Sequence, residues 1–165
     1  MTSRPDESRG VRLRAVEVGD LDVLYEYQSD PVACAMAAFP LRDRDRFDAQ
    51  WAKIRSDDAL VAWTIMADGV VAGVLNSWPA DGRRLVGYWI GREHWGRGVA
   101  TRALNQFVDA TPDRPLYAHV VTGNIGSIRV LQKCGFQRDH AQEALTGKPE
   151  DGIEEFIFVL AEQFS

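Results

Sequence analysis

The stretch GYWIGREHWGRGVATRAL, residues 87–104, places four glycines within its first twelve residues and then continues into a helix-like apolar pattern. A strand-like run ends at Ile90, and the order Gly96-Arg97-Gly98 precedes the helix. The first turn of a helix leaves about four backbone N–H groups without intrahelical partners, and phosphate is a ligand that suits them. The pattern therefore predicts an anion-binding loop, in which Arg97 adds a cation.

The glycines are also compatible with a purely structural role. They could form only a tight turn between strand and helix, since short glycine motifs often occur by chance. A P-loop would end in Gly-Lys-Ser/Thr, which this loop lacks. A dinucleotide-binding fold is disfavoured because short turns, and not helices, join the preceding strands. The tight turn and the anion-binding loop both stay open at this point.

The rest of the chain predicts six strands and four helices. Alternating or β-branched segments predict strands at 11–16, 59–67, 70–78, 83–90, 115–121 and 154–161. Apolar residues at helical spacing predict helices within 20–30, 44–56, 99–110 and 124–136.

Turn signals set the order of these strands. The turns at 68–69 and 79–82 make the strands 59–67, 70–78 and 83–90 an antiparallel meander. The helix that follows the meander returns the chain to a strand parallel to its last member. The predicted class is α+β with a mixed sheet.

Composition limits the possible functions. The 165 residues carry a net charge of −5 without a basic stripe, which argues against nucleic-acid binding. No apolar run approaches the ~18 residues of a membrane span, and the first ten residues lack a signal-peptide core. The cysteines and histidines lack metal-ligand spacing, so we expect no metal. We expect a disordered tail over 1–10, one domain over 11–165, and a cytoplasmic protein.

Residues 87–104, followed by NIGSIRVLQKCGF at 124–136, resemble the GNAT acetyltransferases. The similarity is greatest to the branch that acetylates the N-terminal amines of ribosomal proteins, where the glycine signature often begins with Trp, as at Trp95-x-x-Gly98-x-Ala100. The resemblance implies a mainly antiparallel sheet of six to seven strands with one splayed parallel pair, flanked by about four helices. It also implies direct transfer of acetyl from acetyl-CoA to a primary amine, on a protein N-terminus or a small molecule, by a monomer or homodimer.

The same resemblance implies which residues bind acetyl-CoA. Its pyrophosphate would lie on the amides of 96–101, and a main-chain N–H within 89–91 would point at the thioester carbonyl. Asn124 would orient the pantetheine amide. The expected cofactor-binding residues are Trp89, Ile90, Gly91, Trp95, Gly96, Arg97, Gly98, Val99, Ala100, Thr101, Asn124 and Ser127.

Catalytic residues are harder to assign from the sequence. Members of the branch often carry a glutamate two residues before the Gly-Tyr-Trp run, where this chain has Leu85. Glu93, His94 and His119 are the remaining candidates for the base, and a water-relayed path without a dedicated side chain is an equal alternative. For the acid that protonates the departing thiolate, Leu131 occupies the position of the family's tyrosine, so we expect Ser127, one helical turn earlier, to supply the proton.

Three further expectations concern the acceptor and the cysteines. We expect the apolar connection 31–40 and the segment 140–152 to form opposite walls of the acceptor site. Cys134, on an apolar helix face, is expected to pack in the core and not to act as a nucleophile. Because Leu85 replaces the glutamate, a CoA-binding module without transferase activity remains the alternative function.

Overall fold

The computed structural model describes residues 10–147 and 149–162, and in these ranges seven strands form one sheet. Its spatial order is β1-β2-β3-β4-β5-β7-β6, and β4 and β5 are its parallel pair. The tail expected over 1–10 lies outside the described residues except for Gly10. The strands are β1 Val11–Ala15, β2 Val61–Ala67, β3 Val70–Ala80, β4 Arg83–Ile90, β5 Leu116–Val121, β6 Gln137–Arg138 and β7 Glu155–Leu160.

The described chain also contains six α-helices, so the predicted α+β class and mixed sheet are confirmed. Four of the helices are those that the apolar spacing predicts, and α2 and α6 are additional. Short 3-10 turns precede α1 and follow β4, at Val18–Asp20 and Arg92–His94. The helices are α1 Leu21–Gln28, α2 Pro31–Ala37, α3 Arg44–Ser56, α4 Val99–Ala110, α5 Ile125–Lys133 and α6 His140–Thr146.

The expectation that 31–40 is only a connection is wrong, because most of it is α2. Pro31 lies in the first turn of this helix, where its missing N–H costs nothing. The Asp30 carboxylate accepts a hydrogen bond from the Val32 N–H at 3.0 Å. Asp-Pro after α1 therefore marks a new helix as well as the end of the previous one.

The segment 140–152 likewise begins with a helix, α6. The Asp139 carboxylate caps this helix by accepting a hydrogen bond from the Gln142 N–H at 3.0 Å. The segment contains few apolar residues at helical spacing, so the apolar pattern gave no helix signal here.

Helices cover both faces of the sheet, and two buried clusters hold them there. On one face α4 and α5 pack against the sheet through Leu104, Phe107 and Leu131. On the other face α1 and α3 bury Leu24, Phe47, Trp51 and Val74. Successive side chains of a strand point to opposite faces. In β4 this places Val86, Tyr88 and Ile90 towards α4 and α5, and Trp89 towards α1 and α3.

Asp20 connects the first two strands to the start of α1. It stands at the predicted N-cap position, yet its side chain makes no cap hydrogen bond to the helix. Its oxygens instead accept from the Arg14 guanidinium at 2.7 and 2.8 Å, from the Thr64 hydroxyl at 2.8 Å and from the Glu17 N–H at 2.9 Å. The Arg14 hydrogen bonds above all lower the pKa of this buried carboxyl to about 2.

Candidate active site

The parallel strands β4 and β5 separate soon after they meet. Their pairing is confined to Arg84 with Leu116 and Leu85 with Tyr117, although both strands continue beyond these residues. A gap of about 220 Å³ opens between them, lined on the two strands by Val86 and Tyr88 and by Ala118 and Val120. The splayed parallel pair implied by the family resemblance is therefore present.

The glycine loop, residues 95–98, follows the 3-10 turn after β4 and leads directly into α4. Gly96 and Gly98 have φ values of +77° and +74°, a left-handed conformation that L side chains rarely adopt. Gly98 is the N-cap of α4, no side chain caps the helix, and its first turn has no acidic residue. Because the first hydrogen bond back to the cap comes from Arg102, the preceding helix amides are available to an anion.

A larger cleft, here called the glycine-loop cleft, has a volume of about 400 Å³. It lies between the glycine loop, the end of β4 and the helices α2, α4 and α5. It shares Tyr88, Asn124 and Ser127 with the strand gap, so the two spaces adjoin. Of the residues predicted from the sequence, it is lined by Trp89, Ile90, His94, Trp95, Gly96, Gly98, Val99, Ala100, Thr101, Asn124 and Ser127.

Four of the candidate residues do not line this cleft, namely Gly91, Glu93, Arg97 and His119. The Gly91 N–H is occupied, because it donates to the Ala72 carbonyl at 2.8 Å. The Arg97 side chain is exposed. Glu93 is 70% exposed and accepts a hydrogen bond from the Tyr27 hydroxyl at 3.0 Å.

The direction of the Gly91 N–H identifies the amide of β4 that points into the cleft. Successive N–H groups of a strand point to opposite edges. Since Gly91 donates to β3, the Ile90 N–H points towards β5, into the space that the splay opens. The Ile90 carbonyl lies on the same side and accepts a hydrogen bond from the Trp95 indole at 2.9 Å. Within the predicted range 89–91, Ile90 therefore has the orientation that an oxyanion donor needs.

Tyr88, which the sequence analysis did not single out, is the partner of Ser127. Its hydroxyl lies 2.8 Å from the Ser127 Oγ and 3.2 Å from the Ser127 carbonyl oxygen. Burial raises the pKa of the Tyr88 phenol well above its ordinary value, so the group keeps its proton at working pH. Strand alternation in β4 was the available signal, since it places Tyr88 on the same face of the strand as Val86 and Ile90.

Two cations of α5 were also missed. Arg129 and Lys133 line the glycine-loop cleft together with Gly126 and Val130. Their spacing of three and four residues places all of them on one helical face. No Asp or Glu of the described residues lines the cleft, so its ionised groups favour an anion.

The histidine candidates have different surroundings. His94 is buried, lines the glycine-loop cleft, and has its Nε2 3.4 Å from the Tyr27 hydroxyl. His119 is exposed while Ala118 and Val120 are buried, as strand alternation predicts, but it also borders the gap between β4 and β5, and its Nδ1 lies 3.3 Å from a Glu155 carboxylate oxygen. Of these two histidines, His94 is therefore the one that borders the glycine-loop cleft.

A second space, here called the aromatic cavity, faces α3 and has a volume of about 430 Å³. It shares Tyr88 and Trp89 with the glycine-loop cleft. Phe39, from the predicted wall 31–40, lines it, whereas no described residue of 140–152 lines either space. Its aromatic and aliphatic walls are formed by Phe39, Trp51, Ile54, Leu60, Val61, Val74, Trp78, Tyr88 and Trp89.

The two cysteines are buried and separate. Burial raises the pKa of the Cys134 thiol to about 11, and its Sγ lies 3.5 Å from the Thr101 carbonyl oxygen. The Cys34 thiol donates to the Gln28 carbonyl at 3.0 Å. Cys134 therefore packs in the core as predicted, and its thiolate is not the stable form at neutral pH.

Over residues 10–147 and 149–162, none of the helices combines the length and apolar content that crossing a membrane requires. Within the same ranges, His, Cys, Asp and Glu side chains form no group of three suited to a metal ion.

Comparison with known proteins agrees with this architecture. A family model described as "Acetyltransferase (GNAT) domain" matches residues 11–137. The chain is 29% identical over 140 residues to the "uncharacterized N-acetyltransferase p20" of Bacillus licheniformis, a match that covers 77% of this chain and 79% of that protein.

Solved structures share the fold. A spermidine N-acetyltransferase from Vibrio cholerae, in complex with CoA and spermine, has a TM-score of 0.72 and 19% identity, covering 90% of this chain and 92% of that one. The aminoglycoside acetyltransferase AAC(6')-Ib, in complex with coenzyme A, has a TM-score of 0.74 and 18% identity, covering 93% and 96%.

Proposed function

The chain belongs to the GNAT acetyltransferase family, and on that premise we propose that it transfers the acetyl group of acetyl-CoA directly to a primary amine in a ternary complex. The observation that carries this proposal is the junction of the glycine-loop cleft with the gap between β4 and β5, where Tyr88 and Ser127 meet. Residues 11–165 would form the transferase domain, in the cytoplasm, as a monomer or homodimer.

The glycine-loop cleft fits acetyl-CoA chemically. The free amides at the start of α4 suit the pyrophosphate, and Arg129 and Lys133 supply cations for its negative charge. Asn124 borders both the cleft and the gap, where a pantetheine arm would pass. The Asn124 carboxamide oxygen already accepts a hydrogen bond from the Ser127 N–H at 3.2 Å, which leaves its NH₂ group for a ligand carbonyl.

In the reaction, the lone pair of a neutral amine attacks the thioester carbonyl carbon. A C–N bond forms, the C–S bond breaks, and the amine gives up a proton. The Ile90 N–H is the donor that would stabilise the developing oxyanion. We propose that His94 receives the amine proton through a water molecule, because this histidine lines the glycine-loop cleft. Glu93 is the weaker candidate because it lies outside that cleft.

The departing thiolate needs a proton or a hydrogen-bond donor. If Tyr88 donates to the Ser127 Oγ, the serine proton is free to point at the sulfur, and Tyr88 supports the polarity of that hydroxyl. Because the phenol pKa is raised, this donor pair stays protonated across the range in which the amine becomes neutral. A thiol is a moderate leaving group, so the pair assists departure without being indispensable.

The proposed function specifies the acceptor only as a primary amine. Similarity of residues 87–104 to the ribosomal-protein branch supports a protein N-terminus. Small-molecule amines are supported by structural neighbours crystallised with spermine and with the aminoglycoside ribostamycin.

Two measurements test the function. Calorimetry should show binding of acetyl-CoA, and a thiol assay should show CoA release that equals the acetylated amine formed across a panel of peptides, polyamines, aminoglycosides and amino acids.

Because Leu85 stands where the branch has glutamate, the second candidate is a CoA-binding module. Tight binding of acetyl-CoA with no thiol release from any amine would favour the module and contradict the transferase.

A further inference from the structure

The aromatic cavity has the position of an acceptor site, because it reaches the reacting region from the face opposite α4 and α5. Tyr88 and Trp89 form its boundary with the glycine-loop cleft. On the α3 side, the Phe39 and Trp89 rings lie 5.2 Å apart, and the Trp89 indole N–H donates to the Tyr27 carbonyl at 2.9 Å. The wall between the two spaces is therefore held in place by packing and hydrogen bonding.

The charge of the cavity lining restricts what it can hold. Lys53 is the ionised side chain of the lining, and no Asp or Glu of the described chain contributes to it. Burying an ammonium group without a counter-charge is costly. A polyamine or an aminoglycoside carries several such groups, whereas an acceptor with one amine, attacking as the neutral base, carries none into the cavity.

Asn76 supplies the polar contact that such an amine needs. It lines the cavity on β3, opposite Gly87 of β4. Its buried Oδ1 has no hydrogen-bond partner among the described residues, although buried polar atoms are normally paired. The Trp78 ring packs closely over Gly87 beside Asn76, since a Cβ at Gly87 would meet that ring at 3.2 Å. Rotation of the carboxamide would direct its oxygen at a bound N–H donor.

We infer that the aromatic cavity takes an acceptor with a single amine on an apolar or aromatic body, whose N–H donates to Asn76, and that it rejects polycations. This inference rests on the proposed function, because it names the acceptor class of the same site. Asn76 acts here as a positioning and specificity-determining residue, because a carboxamide orients the amine but does not accept its proton.

The test compares kcat/KM for 2-phenylethylamine, a short peptide with N-terminal phenylalanine, and spermidine. The wild-type protein should prefer at least one of the aromatic monoamines over spermidine by about tenfold or more, because spermidine brings further ammonium groups to a cavity whose described lining offers no counter-charge. The ratio of the two monoamines distinguishes a small-molecule acceptor from a peptide N-terminus. Preference for spermidine would overturn the inference while leaving the transferase function intact.

A carboxylate added to the cavity sharpens the test. Asn76→Asp should lower the preference for the monoamine over spermidine by about tenfold, because it supplies the missing counter-charge. Asn105→Asp makes the same chemical change on an exposed position of α4 and should leave the preference unchanged. An unchanged preference in a folded Asn76→Asp protein, or equal changes in both variants, would contradict the role of Asn76.

Failure of the proposed function can be told apart from failure of this inference. If acetyl-CoA binds but no amine releases thiol, the transferase proposal fails. Calorimetric binding of 2-phenylethylamine and of spermidine to the CoA-loaded protein then decides the inference, and tighter binding of spermidine rejects it.

A second variant is needed if Asn76→Asp does not fold. Asn76→Ser shortens the side chain without adding charge and should weaken 2-phenylethylamine binding. Unaltered binding to Asn76→Ser would reject the contact.

Discussion

The two spaces that meet at Tyr88 and Trp89 are constructed differently. The glycine-loop cleft presents main-chain groups to its ligand, namely the amides at the start of α4 and the Ile90 N–H, supported by the cations of α5. The aromatic cavity presents side chains from β3, β4 and α3. Main-chain donors suit an invariant ligand such as a pyrophosphate, whereas side chains can vary to select among acceptors. We therefore expect the glycine-loop cleft to serve the family's common chemistry and the aromatic cavity, as inferred above, to select the amine.

The largest effect is expected from a negative charge in the glycine loop. Gly98→Glu should weaken acetyl-CoA binding by more than about 100-fold, because it strains a left-handed position and repels an anion at the helix N-terminus. Calorimetry measures the dissociation constant. Gly82→Glu is a matched control, with a φ of +74° and open space in the β3–β4 turn. Unchanged affinity in a folded Gly98→Glu protein would disprove the phosphate assignment.

The next largest effect is expected at the Tyr88–Ser127 pair, where the glycine-loop cleft adjoins the gap between β4 and β5. Ser127→Ala should lower the turnover number by about 10²-fold, the low end for general acid catalysis, with little change in acetyl-CoA affinity. Tyr88→Phe should lower it less. Because the two hydroxyls form one pair, the double variant should be scarcely slower than Ser127→Ala. A decrease below about threefold for Ser127→Ala, measured where chemistry limits turnover, would reject the acid role.

The third effect concerns stability where β1 and β2 meet the start of α1. Asp20→Asn should lower the free energy of unfolding by about 2 kcal/mol at neutral pH, since it leaves Arg14 without its buried carboxylate. The folded pKa lies below the ordinary one, so this stabilisation is present above about pH 4 and is lost as the pH falls towards 2. Urea unfolding at several pH values measures it. Equal stability of variant and wild type at pH 7 would contradict this account.

The smallest effect is expected at Cys134. Cys134→Ala should leave the turnover number within about twofold and lower the free energy of unfolding by about 1 kcal/mol, because it removes a buried sulfur from the core. Steady-state kinetics and urea unfolding measure the two quantities. Trapping of an acetyl group on Cys134 by mass spectrometry would show that transfer proceeds through the enzyme, against the ternary-complex mechanism.

The sequence predicted more of the residues that line the glycine-loop cleft than of those that line the aromatic cavity, and the reason is physical. Gly96 and Gly98 reveal a backbone conformation directly, because few other residues adopt it. The contact of Tyr88 with Ser127 depends on where β4 and β5 separate, which no local pattern encodes. Asn76 and Trp78 join the cavity through strand register, and Phe39 joins it through the position of α2. These residues looked like ordinary strand and connection residues until the sheet brought them together.

The most direct test of this account is an NMR titration of the ¹⁵N-labelled protein, first with CoA and then with 2-phenylethylamine. We predict that CoA perturbs the backbone amides of 96–101 and Ser127. The amine should then perturb the side-chain amide of Asn76 and the indole signal of Trp78, two residues that line the aromatic cavity and not the glycine-loop cleft. Perturbation of the aromatic cavity by CoA, with the glycine-loop amides unaffected, would contradict the division of the site into these two halves.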